Sequence, residues 1–206
     1  EHPDIPAELH GSKVVIVAGV HAGPADEAGS ALARLAGLGT PLMDMSGTVD
    51  YLEVQTGFDW AFPAGDRYFF KSHFMDRLTD EAIEILLDGD THRPTTQSLI
   101  VIRALGGAIS RVSAEESAYP HRRALFNVSF DAGWSDPALD DTAIGWSRST
   151  WDAMAPYATG GVYLNFAGLD HEADRTSVFG TAADRLDRIR RSYDPTGLFA
   201  AAGERP

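Results

Sequence analysis

Cysteine is absent from all 206 residues. Its absence excludes a disulfide framework, a thiolate metal site, a cysteine nucleophile and a cysteinyl link to a cofactor. Positive charge is also scarce, with 17 Lys and Arg against 30 Asp and Glu, a formal net charge of −13. A field of that sign repels phosphate backbones and anionic lipid surfaces, so neither nucleic acid nor a membrane is an expected partner. Long apolar runs are missing as well. The longest, Val14 to Val20, is too short to span a bilayer and follows no basic stretch. A soluble chain is expected, the cytoplasm being the favoured compartment. The common signatures of phosphate, dinucleotide, zinc and serine-hydrolase sites do not occur: there is no Walker loop, no Gly-x-Gly-x-x-Gly, no His-Glu-x-x-His and no Gly-x-Ser-x-Gly.

Hydrophobic residues, at 44%, suffice for a substantial core. The polar opening 1–12 reads as an arm or the end of a linker, and a first residue of Glu instead of Met reads as a chain trimmed or excised from something longer. The run Lys13 to His21 is β-branched and almost continuously apolar, which predicts a strand covered on both faces. Gly23-Pro24 breaks it, and Ala28, Ala31, Leu32, Leu35 and Leu38 at helical spacing predict a helix over 25–38. Strands are expected at Tyr68–Met75, Gln97–Leu105, Ala124–Trp134 and Val162–Phe166. In the third of these, Leu125, Asn127 and Ser129 share one face. Helices are expected from Thr79 to about Leu87, after Asp136-Pro137, and from Thr181 to Ser192 with Leu186 and Ile189 inward. This order predicts an α+β fold, a mostly antiparallel sheet with helices packed on one face. Aromatic residues fall on both faces of that sheet, so a ligand or another domain is expected to cover the second one.

Two acidic groupings invite a metal reading: Asp88, Asp90 and His92, and Asp170, His171, Glu172 and Asp174. The first is expected as a solvated turn and the second as an exposed loop leading into a helix, so no metal is expected. Asn127-Val-Ser129 satisfies a glycosylation sequon but lies inside a core strand, where a glycan has no room.

The last third carries a multi-part pattern: Gly161-Val-Tyr163-Leu-Asn165-Phe166, Phe179-Gly180, Arg185-Leu186, Ile189, and Tyr193-Asp-Pro195 with Phe199. Upstream, Gly39-x-Pro41, Lys71-Ser72, Gly106-Gly107-Ala108, Tyr119-Pro120-His121-Arg122 and the strand ending in Trp134 follow in matching order. Together these pieces resemble the berberine bridge enzyme-like flavoprotein oxidases. The resemblance implies a substrate-binding α+β domain over 13–160 and a berberine-like C-terminal segment over 161–206 that returns to an FAD-binding domain outside these residues. It further implies FAD bound mainly by that N-terminal domain, a small-molecule substrate oxidised by hydride transfer to flavin, and an isolated chain without activity. By the same resemblance Asn165 lies close to the flavin with Tyr163 on the same strand face, and Lys71, Tyr119, Asn127 and Phe166 are cavity positions.

Two departures from the family pattern matter. Some plant members carry Glu at the position of Asn127 and Tyr or His at that of Phe166. Asn accepts no proton at neutral pH and Phe makes no hydrogen bond, so a base must come from elsewhere, with Tyr68, His73, Tyr119 and His121 as candidates. His121-Arg122 also reads as an ion-pairing structural element. A free-standing binding or dimerisation module that has lost its flavin domain is the alternative, and a homodimer stays open.

Overall fold

The computed structural model describes residues 5–166 and 175–199. The chain divides into two compact units, Glu1–Ala64 and Gly65–Pro206. Among the described residues no helix is long and apolar enough to cross a membrane.

In the first unit, helix α1 (Ala25–Ala36) forms where the spacing predicts it and stops at Gly37. A second helix, α2 (Tyr51–Thr56), starts on a capping box in which Asp50 accepts from the Glu53 N–H and Glu53 accepts from the Asp50 N–H, both at 2.9 Å. The strand expected over Lys13–His21 does not form: these residues are exposed, Val15 at 92%, and carry no ladder. Apolar β-branched sequence favours an extended chain, but a strand needs a neighbour for its N–H and C=O groups, and none of the described residues supplies one here.

The second unit is built on three antiparallel strands, β1 (Arg67–Met75), β2 (Leu99–Ala104) and β3 (Phe126–Trp134), in the order β1-β3-β2. Lys71 faces Phe130 and Ser72 faces Ser129 across β1 and β3, while Ile100 faces Phe130 and Arg103 faces Asn127 across β2 and β3. Because side chains alternate, this register puts Phe69, Met75, Val128, Phe130, Ala132 and Trp134 on one side, in the core.

Helices α3 (Asp80–Thr91) and α5 (Asp140–Met154) cover that side. The Thr79 hydroxyl accepts from the Ala82 N–H at 3.3 Å and starts α3, which runs a turn beyond the expected Leu87. Gly89 is tolerated inside the helix because a Cβ there would lie 2.8 Å from the Thr150 methyl of α5. The close approach lets the Trp146 indole donate to the Gly89 carbonyl at 2.8 Å. A short 3-10 turn at Pro137–Leu139, capped by Asp136, precedes α5. Ser147 ties α5 to the sheet by donating to the Phe130 carbonyl at 2.8 Å.

Beyond α5 the expected strand Val162–Phe166 is replaced by a 3-10 turn at Leu164–Phe166. Gly160 and Gly161, at φ of 84° and 79°, turn the chain, and the Val162 N–H is spent on the Ser177 carbonyl at 3.0 Å. Short helices α4 (Ala108–Arg111) and α6 (Arg175–Phe179) and the longer α7 (Ala183–Tyr193) complete the unit. Leu186 is half-buried, but Ile189 is 44% exposed and not inward. Asp194 ends α7 and accepts from the Leu198 and Phe199 N–H groups. Residues 170–174, one of the two acidic groupings, lie outside the described residues.

Candidate active site face

The face of the sheet opposite the helices presents Tyr68, Phe70, Ser72 and Phe74 from β1, Asn127, Ser129 and Asp131 from β3, and Leu99, Val101 and Arg103 from β2. Its aromatic half is roofed by the chain itself. His121 stacks on Phe74 at 4.2 Å between ring centroids, Tyr119 and Tyr163 meet Phe74 edge-on at 6.1 and 6.4 Å, and Phe166 meets Phe70 at 6.2 Å. Gly161 makes this roof possible, since a Cβ there would overlap the His121 ring. Arg122 donates from Nε to the Tyr119 carbonyl at 3.1 Å and from Nη2 to the Ser117 hydroxyl at 2.6 Å, so it braces the loop through neutral acceptors.

Tyr163 and Asn165 meet, though not as neighbours on a strand. The 3-10 turn brings the Asn165 amide Nδ2 within 3.0 Å of the Tyr163 hydroxyl, to which it donates. A cavity of about 210 Å³ lies beside them, bounded by Tyr119, His121, Tyr163, Asn165 and Phe179 among others. A wider hollow of about 820 Å³ near Arg77, Glu81 and Thr159 holds none of the expected site residues.

The polar half of the face is more heavily buried. Asn127, Ser129, Asp131 and Ser72 are each no more than 3% exposed. Asn127 donates from Nδ2 to the His73 carbonyl at 3.4 Å, which fixes the amide and leaves Oδ1 without a hydrogen-bond partner among the described residues. Asp131 Oδ1 and Ser72 Oγ are likewise without one. Burial pushes the Asp131 carboxyl up to about 6, against the opposing pull of the Ser129 hydroxyl and of Arg103. Arg103 bridges the group: Nη1 donates to Ser129 Oγ at 2.8 Å, Nη2 stands 3.8 Å from Asp131 Oδ2, and the guanidinium lies 4.5 Å from the Phe166 ring centroid.

Asn127, Tyr119, Tyr163, Asn165 and Phe166 therefore gather on one face, and Lys71 does not join them. Its register position turns it toward the helices, with Nζ 3.9 Å from the centroid of the Trp151 ring. The expectation that Lys71 faces the cavity is corrected by strand alternation, and the same holds for His73, which stacks on Trp151 at 4.5 Å. Of the other base candidates, Tyr119 has its hydroxyl pKa raised by burial, and His121 has its imidazole pKa lowered by burial. His92 bonds within its own helix to the Asp88 carbonyl at 2.9 Å, and Asp90 pairs with Arg93 at 2.8 Å. Asp131 and Arg103 were not among the expected site residues. The signal for Asp131 was available in the alternation Asn127, Ser129, Asp131, a polar stripe at period two inside an apolar strand.

Residues 162–202, which carry the Tyr163–Asn165 pair, match the family model described as "Berberine and berberine like". The FAD-linked oxidoreductase YgaK of Bacillus subtilis (strain 168), itself described as uncharacterized, is 25% identical over 185 residues, covering 88% of this chain and 40% of its own length. The chain is a relative of the berberine bridge enzyme-like FAD-linked oxidoreductases. Berberine bridge enzyme-like 22 of Arabidopsis thaliana is 29% identical over 173 residues, 72% of this chain and 31% of the relative. The solved structure of BBE-like #28 from Arabidopsis thaliana superimposes with a TM-score of 0.66 at 20% identity, covering 89% of this chain and 45% of that one. The fold is thus that of these oxidases, and the chain spans less than half the length of each of these three relatives.

Proposed function

We propose that this chain is the substrate-binding and C-terminal portion of an FAD-dependent oxidoreductase acting on an alcohol, amine or sugar-like small molecule. The sheet face opposite the helices is one wall of the substrate site, and an FAD-binding domain N-terminal to these residues is its partner. The observation that carries this reading is one face on which an aromatic roof, an exposed Tyr163–Asn165 pair and a buried polar stripe lie together. An Asn side chain has both donor and acceptor atoms, and beside flat aromatic surface it suits the polar edge of an isoalloxazine. Tyr163 and Asn165 are the residues that would meet it. FAD supplies the hydride acceptor when bound. The chain's own part is to seat and orient the substrate against the Phe70, Phe166 and Tyr119 rings and to keep water from the reacting carbon. Asn127 and Phe166 take no proton in this scheme. Without the flavin domain the chain has no oxidant, so alone it is expected to be inactive.

The test joins the chain to an FAD-binding domain and follows flavin absorbance under anaerobic conditions with a panel of alcohols, amines and sugars. Bleaching by at least one class, and a displaced flavin spectrum in Asn165→Ala, are the expected results. An FAD-loaded protein that no member of the panel reduces, or turnover by the 206-residue chain alone, overturns the reading.

A further inference from the structure

His121 joins two parts of the second unit that lie far apart in sequence. Its ring stacks on Phe74 of β1 at 4.2 Å between centroids, with planes 23° apart, and meets Tyr119 edge-on at 5.9 Å. The ring edge that carries both nitrogens abuts the C-terminal segment, which is fitted to this loop by two glycines at positive φ, Gly161 and Gly180. A Cβ on Gly161 would overlap the His121 ring at Cε1, and a Cβ on Gly180 would lie 3.2 Å from the Pro120 Cβ. One glycine precedes the turn at Leu164–Phe166 and the other follows α6, so two separate stretches close on consecutive residues of one loop. They are tied to each other where the Val162 N–H donates to the Ser177 carbonyl at 3.0 Å. Tyr163 and Asn165 come two and four residues after Gly161, so the seat of Gly161 against the ring fixes the start of the turn that presents them.

This seat suits a neutral imidazole. His121 Nε2 is buried and makes no hydrogen bond among the described residues. Such a nitrogen is tolerated as a lone pair and is costly as a charged N–H with no aligned acceptor. Burial accordingly holds the imidazole below its ordinary value of 6.5, against an opposing pull from the carbonyls of Val178, Val162 and Ser177. The charged and titratable side chains around the ring do not offset the burial. On its own loop, Arg122 is turned to the Tyr119 carbonyl, the Ser117 hydroxyl and the Tyr119 ring, and Tyr119 brings a phenol. The C-terminal segment brings the Tyr163 phenol, and β1 brings the apolar Phe74 ring. No carboxylate is among the groups that set the proton affinity of His121. A segment lifted off the loop returns the imidazole to water and to its ordinary affinity for protons, so acid favours the lifted form.

We propose that His121 is a positioning residue: as a neutral ring wedged between Phe74 and Gly161 it seats the Tyr163–Asn165 pair over the sheet, and on taking a proton it releases that pair. It acts through Gly161 and touches no reacting atom. The proposal rests on the function proposed above only in giving the seated pair a flavin to meet; the seating itself is a property of this chain and requires no flavin.

The experiment follows the 206-residue chain by NMR from pH 7.5 to 4.5 through the His121 Cε1–H, the Asn165 side-chain amide and the Trp146 indole N–H, the last as a marker of the core between α3 and α5. The expected result is an Asn165 amide that moves with His121 at one midpoint below 6.5 while Trp146 stays in place. His121→Phe keeps a ring on Phe74 and takes no proton, so it should hold the Asn165 amide at its neutral-pH position down to pH 5. His121→Gln serves if the larger ring prevents folding, and it too should abolish the midpoint. An Asn165 amide that ignores the His121 titration, keeps the same midpoint in the folded variants, or moves only when Trp146 also moves overturns the proposal. So does a His121 midpoint at or above 6.5. In the protein joined to an FAD-binding domain, a flavin spectrum undisplaced by Asn165→Ala would sink the flavin reading and leave the seating by His121 standing. A spectrum displaced by Asn165→Ala, with an Asn165 amide blind to His121, would do the reverse.

Discussion

The imidazole of His73 lies flat on the indole of Trp151, with ring centroids 4.5 Å apart and planes 13° from parallel, and its Nε2 is 2.9 Å from the Trp151 carbonyl. The stack closes the helix-covered side of β1, where Trp151 also donates from Nε1 to the Ser72 carbonyl at 3.1 Å. One indole thus orders a histidine, a lysine and a strand edge together.

Burial lowers the His73 pKa, and the positive charge of Lys71 lowers it further. The unfolded chain then takes up a proton near the ordinary value of about 6.5, at a pH where the native imidazole is still neutral. Stability is therefore unaffected by His73 above that pH and falls as pH drops below it, until the native group also charges. Urea unfolding from pH 7.5 to 5 should show this decline, and His73→Phe should flatten it even though the variant loses the bond to Trp151. A slope unchanged in His73→Phe would contradict the assignment.

Asp131 acts in the opposite sense. Its carboxyl holds a proton up to about 6, whereas the unfolded chain releases it near the ordinary carboxylate value of 3.8. Between those values the native state binds more protons, so stability falls as pH rises and the loss is complete above pH 6. The shift corresponds to about 3 kcal/mol. Asp131→Asn should gain on the parent across this window and hold the gain at neutral pH. Parallel stability curves for the two proteins would show that the carboxylate is better satisfied than its surroundings indicate.

Gly161 and Gly160 both sit at positive φ, yet only Gly161 lies against a side chain, the His121 ring. Gly160→Ala should cost about 1 kcal/mol of backbone strain. Gly161→Ala should cost that and roughly 1–3 kcal/mol more for displacing the ring. In a thermal-unfolding double-mutant cycle, Gly161→Ala on a His121→Ala background should fall back to the smaller loss. Equal losses in both backgrounds would exclude the ring as the cause.

Lys71→Met separates the two faces of β1. With its ammonium over Trp151, the lysine should be replaceable at a cost of about 1 kcal/mol or less, and flavin reduction in the protein joined to an FAD-binding domain should not slow. A tenfold slower reduction without a change in melting temperature would place Lys71 on the ligand side.

Much of this architecture was legible in the residues. Val128, Phe130 and Ala132 alternate with Asn127, Ser129 and Asp131, so β3 declares two faces in sequence, and Thr79 and Asp136 announce the helices that follow them. The segment Lys13–His21 misleads because β-branched content measures fitness for a sheet and says nothing of whether a neighbouring strand is present. Val162–Phe166 misleads for a related reason: its apolar alternation suits a strand, while Gly160-Gly161 just before it redirects the chain into a turn. Lys71 was misplaced because its face depends on register, a relation between strands that one strand cannot reveal.

The central position of β3 has a further consequence for how this sequence can vary. Val128, Phe130 and Ala132 of the strand are committed to the core and Asn127, Ser129 and Asp131 to hydrogen bonding or charge, and both flanking strands are registered against that phase. Loss or gain of a single residue between Phe126 and Trp134 would invert that phase, driving Asp131 into the place of Phe130 and a phenyl ring into the polar stripe. Substitutions can be absorbed here one at a time, but changes of length cannot. Diversification by insertion is therefore diverted to the connection between Leu105 and Leu125, where the chain can lengthen without turning its sheet inside out.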